Sequence, residues 1–174
     1  MKILFVLIIA LLSSCTGIPQ GVTAIEGFEI NRYLGTWYEV ARLDHRFERG
    51  LENISATYSL RDDGGVNVLN KGWDTKEGEW REALGKAYFV EQPDQGRLKV
   101  SFFGPFYGGY NIIELDKKDY AYSMVVGPDR SYFWILSRTQ QLPEATLQAL
   151  IKQAKALGFS TDQLIFATPK SVKE

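Results

Sequence analysis

A succession of short strand-like segments is the feature that most constrains the fold of this 174-residue chain. The segments are rich in aromatic and β-branched residues, and turn signals such as Asp62-Asp63-Gly64-Gly65 separate them. Short strands at this spacing predict an antiparallel all-β sandwich or barrel, and composition alone does not choose between the two. The predicted strands cover residues 37–43, 54–60, 66–73, 85–90, 98–102, 110–115, 120–126 and 132–137.

The pattern changes after the last of these strands. Leu147, Leu150, Ile151 and Ala154 recur at helical spacing and therefore predict an α-helix with one apolar face. We expect that face to pack on the outside of the β structure, with a short strand at residues 164–166 after it. The length of the chain and the absence of an internal repeat in its sequence predict one folded domain.

The N-terminus has the pattern of an export signal. Ile3 to Leu12 form a continuous apolar run that is too short to cross a bilayer but fits the core of a signal peptide. The sequence Leu12-Ser13-Ser14-Cys15 resembles the lipobox of bacterial lipoproteins, whose cysteine is acylated and becomes the new N-terminus. This implies a signal peptide at residues 1–14, a lipidated N-terminus and tether at 15–27, and a folded domain at 28–174. An ordinary signal peptide with a coincidental cysteine is the alternative.

Charge and cysteine content argue against several classes of function. The formal net charge of −1 argues against nucleic-acid binding, which needs a basic surface. Cys15 is the only cysteine of the sequence, so no disulfide can form within the chain, and His45 is its only histidine. Because the sequence has no metal-binding spacing such as HExxH or CxxC, we expect neither a metal site nor a cofactor.

Three short motifs resemble the signatures of the lipocalin family. Gly35 and Trp37 open the first predicted strand, Asp116 to Tyr120 form a turn between the sixth and seventh, and Arg138 ends the last. The resemblance implies an all-β fold, namely an eight-stranded antiparallel up-and-down barrel with a C-terminal α-helix packed outside. It also implies that the Arg138 guanidinium stacks on the Trp37 ring and closes the barrel floor, a cation–π contact worth roughly 0.5–2 kcal/mol.

Residues 33–42 and 102–110 look like the bacterial outer-membrane lipocalins in particular. This resemblance, together with Thr16 after the cysteine, implies a lipid-anchored protein of the bacterial outer membrane that faces the periplasm. It implies fatty acids or lysophospholipids as ligands, and the membrane as a partner through N-terminal acyl chains. Two or more acyl chains give stable anchoring where one does not.

Strand alternation turns every second side chain towards the barrel interior. Counting back from Arg138 and matching the family pattern gives an apolar and aromatic wall, the usual mixture in a small-molecule pocket. The alternative is that these side chains simply fill the barrel. Alternation also turns Glu114 inward towards Glu39, either as a carboxylate pair or as two acids with separate partners. The predicted ligand-binding residues are Ala56, Tyr58, Phe89, Val100, Phe102, Tyr110, Ile112, Tyr132, Trp134 and Leu136.

The loop after the first strand is expected at the open end of the barrel. His45, Arg46 and Arg49 are therefore candidates to bind an anionic lipid head group by charge-assisted hydrogen bonds. The alternative is a solvated loop, because acidic residues are interleaved with these and exposed ion pairs contribute little. At the same end, Phe103, Phe106 and Tyr107 are candidates to contact lipid or a second subunit of a homodimer.

These observations favour a protein that stores or transports lipid without covalent chemistry. An enzyme acting on a lipid or other hydrophobic substrate is the main alternative, since a few lipocalin-like proteins are enzymes. A structural envelope lipoprotein is a third. An enzyme needs a nucleophile or an acid–base pair aimed into the cavity. Because Cys15 is assigned to the anchor and His45 to a solvated loop, the sequence predicts a binding protein.

Overall fold

The computed structural model describes residues 16–167. The predicted signal segment and Cys15 lie outside the described residues. No helix within residues 16–167 is long and apolar enough to cross a membrane. The elements in chain order are α1 (Ile30–Tyr33), β1 (Gly35–Arg42), β2 (Leu51–Leu60), β3 (Val66–Asp74), β4 (Glu79–Phe89), β5 (Arg97–Phe103), β6 (Phe106–Leu115), β7 (Tyr122–Val126), β8 (Phe133–Ser137), α2 (Glu144–Ala156), a 3-10 helix (Thr161–Gln163) and β9 (Ile165–Phe166).

Strands β1 to β8 close into an antiparallel barrel. Neighbouring strands pair in chain order from β2 to β8, and β1 closes the ring by pairing with both β8 and β2. Residues 35–38 of β1 pair with residues 55–58 of β2, whereas residues 38–42 pair with β8. The predicted eight-stranded up-and-down barrel is therefore confirmed. The short β9 pairs with the edge of β1 at Ala41 and Arg42.

Two apolar cores lie on opposite sides of the sheet. The inner core fills the barrel, and its most buried members include Trp37, Ile112 and Val125. The outer core lies between the sheet and α2, where Leu150 and Ala154 of the helix are buried. The helix therefore packs outside the barrel, as its apolar spacing predicts.

The floor of the barrel is closed by Trp37 and Arg138. The Trp37 side chain is fully buried, and the guanidinium carbon of Arg138 lies 4.0 Å from its ring centroid. The indole N–H of Trp37 donates to the carbonyl of Tyr33 at 2.8 Å. Arg138 donates to the carbonyl oxygens of Thr36 at 3.1 Å and Arg32 at 2.7 Å. One guanidinium thus ties α1 and β1 to the end of β8, and the stacking expected from the sequence is present.

The other signature residues support this floor. Gly35 adopts a φ of 91°, and a Cβ there would lie 3.4 Å from Nη1 of Arg138, so glycine suits both the backbone and the close approach. The Asp116 carboxylate accepts a backbone N–H within its own turn at 3.2 Å. The Tyr120 hydroxyl accepts from the backbone N–H of Glu29 at 3.1 Å. The turn between β6 and β7 is thereby fixed against the segment that leads into the floor.

A bulge in β6 changes which side chains face the interior. The pairing of β6 with β7 shifts between Ile112 and Glu114. Ile112 belongs to the inner core, whereas Ile113 belongs to the outer core. The Glu114 carboxylate accepts a hydrogen bond at 2.6 Å from Gln153 of α2, on the outside of the barrel. The inward Glu114 expected from strict alternation is therefore wrong, and so is its pairing with Glu39.

Most strand boundaries differ from the sequence prediction by one to six residues, and β4 and β7 show the physical reasons. β4 begins at Glu79 instead of Gly85, and the added residues pair regularly with β3. Cross-strand pairing over the whole hairpin thus overrides the low strand propensity of the charged residues in this stretch. β7 begins at Tyr122 instead of Tyr120, because Tyr120 has a φ of 53° and cannot continue a strand.

Residues 16–27 lie against the barrel. Val22 is buried in the outer core, and the backbone of Ile25 forms hydrogen bonds with two barrel segments. Nearer the start of the described chain, the carbonyl of Gly17 accepts a hydrogen bond from the side-chain amide of Asn111 at 3.0 Å. The segment that the sequence indicates as a tether is therefore fixed along the barrel surface.

Replacing Trp37 with alanine should cost about 3–5 kcal/mol of unfolding free energy, as other large-to-small changes in a packed core do. Urea unfolding followed by far-ultraviolet circular dichroism measures this loss. Trp80→Ala is the matched control and should cost much less, because Trp80 is 38% exposed. A loss below about 1 kcal/mol for Trp37→Ala would contradict a floor that depends on this ring.

Candidate functional site

The predicted lining residues lie on the inner face of the barrel. Nine of the ten belong to the inner core or pack against it. The tenth, Tyr132, precedes β8 at the mouth, where its ring stacks on that of Trp134 with centroids 6.4 Å apart. Phe102, Tyr110 and Trp134 are only partly buried. This wall therefore keeps apolar and aromatic surface that a ligand can cover.

Three tyrosine hydroxyls form a hydrogen-bonded chain low in the barrel. The Tyr110 hydroxyl lies 2.9 Å from that of Tyr33 and 2.7 Å from that of Tyr58. Burial raises the pKa of Tyr33 to about 12 and raises the pKa values of Tyr58 and Tyr110 well above their ordinary value. All three phenols are therefore neutral at physiological pH. A small cavity beside Phe28 measures about 10 Å³, so the lower barrel is nearly filled.

A cluster of charged side chains occupies the inside of the mouth half. Arg42 lies between two carboxylates, because its Nε is 3.1 Å from Oε1 of Glu39 and 3.3 Å from Oε2 of Glu48. The same Glu48 oxygen accepts from the indole N–H of Trp134 at 3.3 Å and lies 3.1 Å from Nε2 of His45. The four ionisable side chains, those of Glu39, Arg42, His45 and Glu48, are each at most 10% exposed. We call these residues the mouth cluster.

Burial governs protonation in the mouth cluster. Burial raises the pKa of Glu39 well above its ordinary value, and the neighbouring Glu48 carboxylate raises it further. Burial also raises the pKa of Glu48, while the Trp134 hydrogen bond and the Arg42 charge oppose this. Burial and the Arg42 charge lower the pKa of His45 to about 4. Near neutral pH His45 is therefore neutral, while burial disfavours the charged forms of Glu39 and Glu48 and the Arg42 charge opposes this.

His45 is buried, so the solvated loop histidine that the sequence predicts is wrong. Its ring packs on that of Phe47 with centroids 4.1 Å apart, and on that of Trp134 at 4.9 Å. The Tyr132 ring lies 6.0 Å away. These contacts fold the loop between β1 and β2 over the inside of the mouth.

Strand alternation does not identify the mouth cluster. A bulge in β1 shifts the pairing with β8 between Glu39 and Ala41. As a result, Val40 and Ala41 both belong to the outer core, while Glu39 and Arg42 meet on the inside. The sequence does carry a signal for this arrangement. It is a pair of consecutive apolar residues in an otherwise alternating strand, flanked by an acid and a base three positions apart.

The structure does not bring the three predicted head-group residues together. His45 belongs to the mouth cluster, whereas Arg46 and Arg49 are exposed on the loop. The Arg49 guanidinium forms an ion pair with Asp44 at 2.7 Å, and both side chains are exposed. An exposed pair of this kind contributes little to stability. Arg46 is therefore the stronger head-group candidate of the two exposed arginines.

A lateral cleft lies beside the mouth cluster. Strands β1 and β2 pair only between residues 35–38 and 55–58, so their mouth halves separate. The cleft has a volume of about 250 Å³, and its lining includes Glu39, Arg42 and Phe166 of β9. The buried ion pair thus lies next to an opening in the barrel wall.

A closed barrel with a sealed floor, an apolar interior and a polar mouth is the architecture of a lipocalin-type binding protein. A family model described as a lipocalin-like domain matches residues 28–169, and the chain belongs to the lipocalin family. Solved structures agree with the fold. Insecticyanin from the tobacco hornworm Manduca sexta superposes with a TM-score of 0.70 at 20% identity, covering 90% of this chain and 88% of that one.

Bacterial and animal lipocalins are similar to most of the chain. Outer membrane lipoprotein Blc of Vibrio cholerae is 51% identical over 164 residues, which cover 94% of this chain and 96% of the relative. The Escherichia coli protein of the same name is 55% identical over 148 residues, covering 85% and 83%. Apolipoprotein D of Macaca fascicularis is 34% identical over 145 residues, covering 80% and 74%. The resemblance to bacterial outer-membrane lipocalins is therefore confirmed.

His45→Gln should remove a pH dependence of stability. Folding lowers the pKa of His45 from 6.5 to about 4, so between these values the unfolded state binds more protons than the folded state. As the pH falls through this window, the parent should lose roughly 1–3 kcal/mol more stability than the variant. No other imidazole titrates there, because His45 is the only histidine of the sequence. Urea unfolding at stepped pH measures the difference, and parallel curves would contradict a buried, neutral His45.

Proposed function

We propose that this protein binds a single-chain lipid, a fatty acid or a lysophospholipid, in its barrel. The proposal rests on the two kinds of surface inside the barrel. Apolar and aromatic side chains line the wall, whereas charged side chains lie inside the mouth. An acyl chain matches the first part and a polar head group matches the second. The relatives named outer membrane lipoproteins support a lipid environment for the same fold.

The acyl chain supplies most of the binding free energy. Transfer of a 16-carbon chain out of water gains about 13 kcal/mol, at ~0.8 kcal/mol per methylene. Association and ordering take back several kcal/mol of this gain. We therefore expect a dissociation constant of about 1 μM or tighter. The chain lies along the wall formed by Phe102, Tyr110 and Trp134, which keep exposed surface.

The head group of the ligand lies at the open end. Arg46 is exposed on the loop there, and Glu39 and Arg42 border the lateral cleft. A phosphate or carboxylate in this position accepts charge-assisted hydrogen bonds, which are stronger than neutral ones. Arg49 contributes less than Arg46, because Asp44 already pairs with it.

Binding without covalent chemistry is the function that the mouth cluster favours. The contact between His45 and Glu48 is the arrangement that an acid–base mechanism would use. A histidine whose pKa is lowered to about 4 is a weak base at neutral pH. Its ring is also covered by Phe47 and Trp134. The cluster is therefore better suited to ordering the mouth than to taking a proton from a substrate.

The protein is held at the bacterial outer membrane by acyl chains on Cys15. The resemblance of residues 12–15 to a lipobox supports this assignment. The names of the Vibrio cholerae and Escherichia coli relatives support it as well.

A long-chain fatty acid should change the fluorescence of Trp134, because its indole packs on the inner core and bonds to Glu48. Trp134→Phe should remove most of the change, while Trp80→Phe should keep it, since β3–β4 pairing puts Trp80 on the outer face. Titration of the purified protein with palmitic acid measures the signal and the affinity. A full signal in Trp134→Phe would place the ligand elsewhere, and no saturable binding to the parent would contradict the proposed function.

Cys15→Ser should release the folded barrel from the membrane, because the residue that carries the acyl chains is gone. Envelope fractionation with washed membranes and immunoblotting measures the distribution. Thr16→Ser keeps the cysteine and should stay in the membrane fraction. Sedimentation of Cys15→Ser with washed outer membranes would show that another feature anchors the protein.

A further inference from the structure

We propose that the open end of the barrel docks directly on the phospholipid surface, with the tip of the β5–β6 hairpin inserted among the head groups. Two independent observations carry the proposal, namely the distribution of exposed apolar side chains and the path of the N-terminal segment. The second of these rests on the proposed acylation of Cys15. We call the docking surface the rim, and its residues are Phe47, Trp80, Phe103, Phe106, Ile165 and Phe166.

Exposed apolar side chains concentrate at the mouth. Phe103 and Phe106 flank the tip of the hairpin between β5 and β6 and are 82% and 79% exposed. Phe47, on the β1–β2 loop, is 57% exposed. Of the eight large apolar side chains exposed within residues 16–167, six belong to the rim, while Leu84 lies midway along β4 and Leu60 lies at the floor end. An exposed patch of this kind marks an interaction surface.

The N-terminal segment starts at the same end of the barrel. The side-chain amide of Asn111 donates to the carbonyl of Gly17 at 3.0 Å and lies 3.3 Å from that of Gly127, where the β7–β8 loop begins. The carbonyl of Gln20 accepts from Arg130 of the same loop at 2.8 Å. The loop between β7 and β8 is part of the mouth, because β7 runs from the floor to the mouth. From there residues 22–28 descend to the floor.

The anchor therefore cannot hold the barrel far from the bilayer. Cys15 precedes Gly17 by two residues, and two extended residues span at most about 7 Å. Acyl chains on Cys15 keep the β7–β8 loop close to the lipid surface. Because this loop is part of the open end, the other mouth loops lie near the lipid surface as well. The floor then points away from the membrane.

The chemistry of the rim fits a lipid surface. The hairpin tip Phe103-Gly104-Pro105-Phe106 carries no charged side chain. Aromatic side chains concentrate at the boundary between lipid and water, where an apolar ring is buried beside polar head groups. Trp80 adds an indole, a side chain enriched in the same zone. A ligand can then pass between bilayer and barrel without crossing bulk water.

A single fluorescent label tests the orientation in the acylated full-length protein, reconstituted in vesicles of phosphatidylethanolamine and phosphatidylglycerol. Acylation occupies the Cys15 thiol and the sequence has no other cysteine, so one introduced cysteine is labelled uniquely. We expect a nitrobenzoxadiazole label in Phe106→Cys to shift to shorter wavelength and to be quenched by spin-labelled phospholipid. The matched label in Leu60→Cys, at the floor end, should show neither effect.

Equal quenching at both positions, or none at position 106, would overturn the proposal. The label at position 106 could instead shift only when more protein is reconstituted per vesicle, without quenching by the spin-labelled lipid. This result would also overturn the proposal. That result would assign the rim to a second copy of the chain.

A kinetic measurement separates docking from ligand binding. The double variant Phe103→Ser/Phe106→Ser should take up fluorescent fatty acid from vesicles at least about tenfold more slowly, because it loses two apolar contacts with the bilayer. Its final occupancy should match the parent, and Leu60→Ser should keep the parent rate. An unchanged rate in the double variant would contradict a role of the rim in transfer. If the parent takes up no fatty acid, the proposed ligand is wrong, while the quenching contrast between positions 106 and 60 still decides the orientation.

Discussion

The stacking of Arg138 on Trp37 is the contact on which the barrel depends. It joins the end of β8 to the beginning of β1, with 4.0 Å between guanidinium and ring centroid. Closing a sheet into a ring in this way protects the strand edges, which would otherwise pair with other chains. The same guanidinium holds α1 through the carbonyl of Arg32. Floor and wall therefore form one unit, and a ligand has to enter from the opposite end or through the side.

The mouth cluster imposes the second constraint. Burying Glu39, Arg42 and Glu48 is costly unless the charges are paired and hydrogen-bonded. The structure meets the first requirement by placing one guanidinium between two carboxylates, although Nε and Nη1 of Arg42 have no hydrogen-bond partner within residues 16–167. Apolar residues of similar volume are often as stabilising as a buried ion pair, so stability alone does not account for such a cluster. Its position at the open end agrees with the proposed place of the head group.

Features that follow a regular pattern could be predicted from the sequence, and those that depend on an irregular backbone or on distant contacts could not. Helical spacing predicted the outer helix, and alternation together with the family resemblance predicted the strand number and most residues of the inner face. Glu114 and Arg42 both follow a bulge, and one extra residue reverses the orientation of the side chains beyond it. The burial of His45 depends on rings from β8. The attachment of residues 16–27 uses backbone carbonyls, which every residue type offers.

The number of backbone pairs between neighbouring strands varies around the barrel wall. β1 and β2 share four register pairs, as do β4 and β5, whereas β3 and β4 share nine. Local opening requires the least free energy where the fewest backbone hydrogen bonds and buried contacts have to be broken. The lateral cleft already separates the mouth halves of β1 and β2, so this boundary is a seam with few backbone hydrogen bonds left to break. Under the proposed function, the girth of an accepted ligand depends on how far this seam can part as well as on the fixed dimensions of the interior.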